Sequence, residues 1–128
     1  MIPEHLKYVA THEWLDPKTG KTGITDPAQE QLGDMVFVEF PEVGSEFAQG
    51  ERFGSVESVK SVSDCYLPVS GKVLAINEDL LEAPEVINQD PYEKGWLIRI
   101  EIKNPAEIDE LMSAAVYDKF VKEEAGEH

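Results

Sequence analysis

The chain has 128 residues, near the commonest size for one domain, and a fold of that length buries roughly two thirds of the surface its unfolded chain exposes. Its 26 Asp and Glu against 11 Lys and Arg give a formal charge of −15, which repels phosphate backbones, argues against nucleic acid and favours protein partners with basic docking surfaces. No apolar run approaches the roughly 18 residues of a membrane helix, Met1-Ile2-Pro3-Glu4-His5 lacks the basic start and apolar middle of a secretory signal, and the lone Cys65 allows no internal disulfide and no cysteine metal cluster.

These bounds predict a single soluble, intracellular domain over residues 1–128, in a reducing compartment and without membrane contact. In chain order, the first clear element is Ile24 to Gly33. Asp26 is a capping residue, Pro27 suits the first helical turn, helix formers follow and Gly33 ends the segment, so a short helix is expected. Asp34 to Phe40 has the β-branched and aromatic content of a strand, which Pro41 to Gly44 terminates. Gly50 opens the next strand, apolar from Phe53 to Val56 around Gly54. A second run, Val62, Cys65 and Leu67, leads to a turn at Pro68 to Gly71. Between the two runs the small and polar residues of Glu57-Ser58-Val59-Lys60-Ser61-Val62-Ser63-Asp64 are those of a turn, so two strands fold about Lys60. A lysine there has its ammonium in water and its backbone held by the ladder on both sides, which suits recognition by a modifying enzyme. Cys65 reads as a small core side chain.

Lys72 to Ile76 supplies another strand, and Asn77 to Gln89 an acidic connection with one helical turn. Trp96, Ile98, Ile100 and Ile102 then alternate with Arg99, Glu101 and Lys103, Leu97 being the exception, as a half-buried strand requires. Asn104-Pro105 repeats the cap-then-proline signal, with Ile108, Leu111 and Met112 on one helical face. Ser113 caps a second helix through Val116, Phe120 and Val121, and the tail frays after Lys122. His5, His12 and His128 lack metal-ligand spacing, so no metal is expected, and His12 reads as scaffold beside Trp14. No glycine-rich phosphate loop and no Ser-His-Asp set is evident.

An unmodified lysine in water has little catalytic use, because activating it takes desolvation or a neighbouring cation, and neither is apparent around Lys60. A cofactor must bring the chemistry. The run Glu57 to Asp64 closely resembles the lipoyl-attachment hairpin of the glycine cleavage system H-protein family. The resemblance extends in order through Thr11-His12-Glu13-Trp14-Leu15, Gly23-Ile24-Thr25-Asp26, Leu32 to Glu39, Pro41-Glu42-Val43-Gly44, Pro68 to Val73 and Asn88-Gln89-Asp90-Pro91-Tyr92. It implies a mainly β, lipoyl/biotinyl-like flattened β-sandwich or hybrid barrel with short flanking helices and a C-terminal helical segment. It implies lipoate attached as N6-lipoyllysine at Lys60, with Glu57, Ser58 and Val59 read by the lipoylating enzyme. Glu13 and Asp64 match the positions that contact the loaded arm.

The implied role is carriage without catalysis. The aminomethyl group of glycine comes from a pyridoxal-phosphate decarboxylase (P-protein) and goes to a tetrahydrofolate-dependent aminomethyltransferase (T-protein), and a dihydrolipoyl dehydrogenase (L-protein) reoxidises the carrier. A lipoate ligase or lipoyl/octanoyl transferase is the further partner. The expected place is a bacterial cytoplasm, or a mitochondrial matrix if a transit segment was cut away. A lipoyl relay to other lipoyl-dependent complexes is the alternative role. Biotin carriers normally place methionine before the lysine, where this chain has Val59. The lipoyl domains of 2-oxoacid dehydrogenases usually show aspartate there and are much shorter. Departures from the family pattern are Glu93-Lys94 in place of the usual glycine, Phe40 for leucine and Cys65 for valine.

Overall fold

The computed structural model describes residues 2–126, so His128 lies outside the described residues. In chain order the elements are β1 (Lys7–Tyr8), β2 (Glu13–Leu15), β3 (Lys21–Ile24), α1 (Asp26–Leu32), β4 (Met35–Glu39), β5 (Glu46–Phe47), β6 (Arg52–Ser58), β7 (Val62–Tyr66), β8 (Gly71–Ile76), α2 (Asp79–Glu82), α3 (Val86–Gln89), β9 (Ile98–Ile102), a 3-10 helix (Pro105–Glu110) and α4 (Ala114–Glu124). The strands form two antiparallel sheets, neither closed: β1-β2-β3-β9-β8-β5 and β4-β6-β7. The architecture is the expected flattened, mainly β sandwich with short helices and a C-terminal helix.

Inward-facing strand residues build the main core, with register slips in β4 and β6 breaking strict alternation. Met35 and Val38 of β4, Phe53 and Val56 of β6, Cys65 of β7 and Val73 of β8 are buried with Leu97, Ile98 and Ile100. Side chains of this kind contribute about 1.5–3 kcal/mol each on burial. Gly54 is required where β6 passes β4, because a Cβ there would stand 2.3 Å from the Glu39 carbonyl oxygen. A second cluster, Leu6, Tyr8, Trp14, Ala114 and Tyr117, seats α4 against the first strands.

Several boundaries differ from the sequence expectations. The cap of α1 is Thr25 rather than Asp26: the Thr25 hydroxyl accepts the Ala28 N–H at 3.3 Å. Asp26 is instead the first helical residue, where a carboxylate favours the positive end of the helix dipole. Trp96 falls before β9, since the Asn77 side-chain amide donates to the carbonyls of Lys94 and Trp96 at 2.8 Å each and turns the chain there. Two short helices, α2 and α3, occupy the connection expected to hold one turn. The Pro105 segment is a 3-10 helix, and its apolar residues divide: Ile108 and Leu111 pack on the main core, Met112 on the second cluster. In α4 it is Tyr117 that is fully buried while Val116 faces water, and the helix continues past Lys122 to Glu124, helped by the Lys122–Asp118 pair at 3.1 Å.

Candidate functional site

The β6-β7 hairpin keeps register from Gly54↔Cys65 through Ser55↔Asp64 and Val56↔Ser63 to Glu57↔Val62, leaving Val59, Lys60 and Ser61 as the connection. Ser58 organises that connection from the inside. Its N–H donates to the Ser61 carbonyl at 2.8 Å, and its buried hydroxyl oxygen accepts the N–H groups of Ser61 at 3.2 Å and Lys60 at 3.4 Å. The Val59 N–H donates to the Asp34 carbonyl at 3.0 Å, tying the tip to the corner between α1 and β4. That corner is fixed in turn by Asn88, whose side chain accepts the Met35 N–H and donates to the Gly33 carbonyl and to Gln29, all at 2.9 Å.

Lys60 is therefore carried on a backbone with little freedom, while its own side chain is exposed and has no ion-pair partner among the described residues. Its stem lies across Gly33, with Cε 3.5 Å from where a Cβ of Gly33 would stand. Glu57 and Val59 face outward beside it, whereas Ser58 is turned inward.

Glu13 and Asp64 sit in very different surroundings. Glu13, in β2, is 1% exposed. The Thr11 hydroxyl donates to one carboxylate oxygen and the Tyr66 N–H of β7 to the other, at 3.0 Å, so the side chain bridges the two sheets. Burial pushes its pKa from 4.5 up to about 7, against the opposing pull of these hydrogen bonds. Asp64 is exposed and accepts the Arg52 Nε–H at 2.8 Å, and Arg52 Nη2 reaches Glu39 at 2.8 Å. The fork spans all three strands of the smaller sheet and holds the Glu39 carboxyl below its ordinary pKa. The structure nevertheless brings Glu13 and Asp64 together, since both line one cleft of about 90 Å³ with Thr11, His12, Ile24 and Leu32.

His12, read from the sequence as scaffold beside Trp14, stands against α4. Its Nδ1 is 2.7 Å from the Tyr117 hydroxyl, which is 2.7 Å from Thr25 Oγ1, and its Nε2 is 2.9 Å from Glu124. Its backbone is left-handed, with φ 75°. No local signal announces this, because the partners lie at the far end of the chain. Cys65 is in the core, where burial pushes its thiol pKa up and makes it a poor nucleophile. A larger, open hollow of about 380 Å³, with Trp14, Tyr92, Trp96 and Lys21 among its walls, includes no residue of the hairpin.

The sequence model of the family described as Glycine cleavage H-protein matches residues 6–124. The chain belongs to the glycine cleavage H-protein family. It is 53% identical over 126 residues to the glycine cleavage system H protein of Carboxydothermus hydrogenoformans, covering 97% of each chain. It is 56% identical to that of Symbiobacterium thermophilum, over 95% of this chain and 97% of the other. The crystal structure of the glycine cleavage system H protein from Mycobacterium marinum superposes with a TM-score of 0.83 at 37% identity, over 97% of this chain and 99% of that one. The fold is thus that of an H-protein, and the Lys60 hairpin is part of the region the family model covers.

Proposed function

We propose that this protein is the lipoyl carrier of a glycine cleavage system, a single carrier domain loaded at Lys60 as N6-lipoyllysine. The observation that carries the reading is the Lys60 amine, solvent-exposed at the tip of a hairpin that Ser58 and Asp34 hold in one conformation. The residues present fit an amide-linked arm: the lysine stem runs past Gly33, where no side chain crowds it, and a cleft with two carboxylates lies within the same α1-β2-β7 corner. When bound, the lipoyl group supplies a dithiolane that takes up the aminomethyl group and two electrons.

The chain's own residues do the holding. Glu57 and Val59 face the lipoylating enzyme, a lipoate ligase or a lipoyl/octanoyl transferase, while Ser58 keeps Lys60 forward. Glu13 and Asp64 offer oxygens to a cation entering the cleft. An ammonium about 4 Å from a carboxylate gains roughly 4 kcal/mol at an effective dielectric near 20, but exposed pairs net only about 0–1 kcal/mol, and Arg52 already shares Asp64. Glu13 is largely uncharged below pH about 7, and an arriving cation favours its ionised form. The hold is loose, so an enzyme competing for the arm releases it.

On this reading the carrier, with no catalysis of its own, receives the aminomethyl group from the pyridoxal-phosphate decarboxylase. It passes that group to the aminomethyltransferase acting on tetrahydrofolate, and dihydrolipoyl dehydrogenase reoxidises it. Its place is the cytoplasm of a bacterium, in keeping with the bacterial origin of the relatives. Intact-mass analysis of protein produced with lipoate supplied is expected to show one lipoyl increment, located at Lys60 by peptide sequencing. Modification elsewhere, or none with a competent ligase, overturns the site. Mixing the loaded protein with the decarboxylase and labelled glycine is expected to place label on the arm. Failure to do so favours the lipoyl-relay role instead.

A further inference from the structure

We propose that Phe37 and Val62, which flank Glu57 on the outward face of the smaller sheet, form with Val59 the surface gripped by the enzyme that acylates Lys60. The proposal rests on the lipoyl-carrier reading and extends recognition from the hairpin to a neighbouring strand. Phe37 of β4, Glu57 of β6 and Val62 of β7 are direct cross-strand partners, so their side chains stand in one row on one face. All three point into water, Phe37 54% and Val62 64% exposed. The ladder slips between Met35 and Phe37, and this bulge turns Val36 outward as well. Val59, 69% exposed, caps the row at the tip. Of the eight large apolar side chains left exposed among the described residues, four are thus gathered around Lys60. Scattered exposed residues need no explanation, but a cluster around one reactive amine does.

Charge decides the kind of partner. Within the row the charged group is Glu57, and Asp34 is exposed at the adjoining corner. Arg52 is the nearby guanidinium, but both Glu39 and Asp64 already engage it. The face therefore suits an apolar concavity carrying a basic side chain opposite Glu57. Chemistry decides which enzyme. In acylation the Lys60 nitrogen attacks the carbonyl of an acyl-adenylate. The N–C bond forms as the C–O bond to the phosphate breaks, AMP leaves with the electron pair, and the nitrogen gives up its proton to a base of the enzyme. The reactive carbonyl must come within bonding distance of Nζ, one lysine side chain from the tip, so the body of that enzyme necessarily lies on Val59, Glu57 and Val62. Enzymes working at the far end of a loaded arm stand off by the arm's length. The clamp from Ser58 and Asp34 presents this surface already ordered, which spares the complex an ordering cost.

The test uses full-length apoprotein, an ATP-dependent lipoate ligase, lipoate and Mg-ATP, with acylation followed by intact mass. The double variant Phe37→Ser, Val62→Ser is expected to lose at least about tenfold in kcat/KM for acylation, chiefly through KM, as loss of interface anchors does. Its thermal midpoint should be unchanged, and Phe37→Leu should restore most of the rate. Val116→Ser, an equally exposed apolar position on α4, should be acylated like the parent. Once fully lipoylated, the double variant should be reduced and reoxidised by dihydrolipoyl dehydrogenase at the parental rate. If the double variant unfolds, Val62→Thr, which keeps the branched strand side chain, carries the same expectation at smaller size. Acylation of the variants at the parental rate overturns the proposal, as does an equal loss in Val116→Ser. A parental dimer that the variants dissociate with acylation unchanged assigns the face to a second copy and also overturns it. A parent acylated at Lys60 while the variants keep pace sinks this inference alone, whereas a parent not acylated at Lys60 sinks the carrier reading as well.

Discussion

Around α4 the chain seals Leu6, Tyr8, Trp14 and Tyr117 away from water, whereas around Lys60 it leaves Phe37, Val59 and Val62 in it. The α4 end is built from long-range pairings: Tyr117 stacks on Tyr8 with centroids 4.8 Å apart, and Met112 and Tyr8 exchange backbone hydrogen bonds at 2.8 and 2.9 Å. The Lys60 end is built from a local ladder, one serine and the Val59 bond to the Asp34 carbonyl. Apolar burial fixes the shape at one end, and its absence leaves the proposed recognition surface at the other. Glu13 belongs to neither pattern, being a carboxylate buried between the sheets at the edge of the cleft.

The largest effect is expected at the sealed end. Tyr117→Ala removes a fully buried ring along with its hydroxyl contacts to Thr25 and His12, and should cost about 3–5 kcal/mol in urea unfolding. Under conditions where the variant remains folded, acylation of Lys60 should proceed at the parental rate. A slowed acylation would show that the two ends are mechanically coupled, and the contrast drawn between them would fail.

Glu13 sharpens the comparison through pH. Its folded pKa, about 7, lies above the ordinary 4.5, so the folded state holds the proton more tightly than the unfolded chain. Its contribution is fully present below about pH 4.5 and is lost as pH rises through 7, amounting to about 3 kcal/mol. Charge repulsion in so acidic a chain also changes with pH, so the useful quantity is the stability of Glu13→Gln minus that of the parent. That difference should rise by about 2.5 kcal/mol between pH 5 and 8 in denaturant titrations. A flat difference would mean that the carboxylate is ionised throughout, and that the junction between the sheets is wetter than its burial implies.

The hairpin was legible because its determinants are local. Turn residues sit between two apolar runs, and the cap-and-proline signal of α1 lies within four residues of the helix it starts. The same locality explains what was missed. Strands of two or three residues such as β1, β2 and β5 are too short to show a period. The outward turn of Phe37 depends on a bulge, and an apolar β-branched run reads as buried until its register is known. Glu13 reads as a surface acid because the Tyr66 N–H it accepts lies on another strand, and His12 finds its partners on a helix at the opposite end of the chain. The lipoyl group proposed for Lys60 is implied by resemblance alone, since no spacing of residues encodes it.

The smallest effect tests whether the reading end is ordered by its ladder alone. Ser58→Ala leaves the Ser58 N–H to Ser61 carbonyl bond intact but removes the hydroxyl oxygen that accepts from Lys60 and Ser61. Both freed N–H groups are at an exposed tip where water replaces the lost acceptor, so the cost should be about 1 kcal/mol, at the low end for a buried hydroxyl. Global stability should fall by no more than that same amount of about 1 kcal/mol, while amide hydrogen exchange at Lys60 and Ser61 should quicken about fivefold, the opening being local. Unchanged exchange at those two amides would mean that the Val59 bond to Asp34 is sufficient to hold the tip. The corner fixed by Asn88, rather than Ser58, would then be what keeps the Lys60 amine in place.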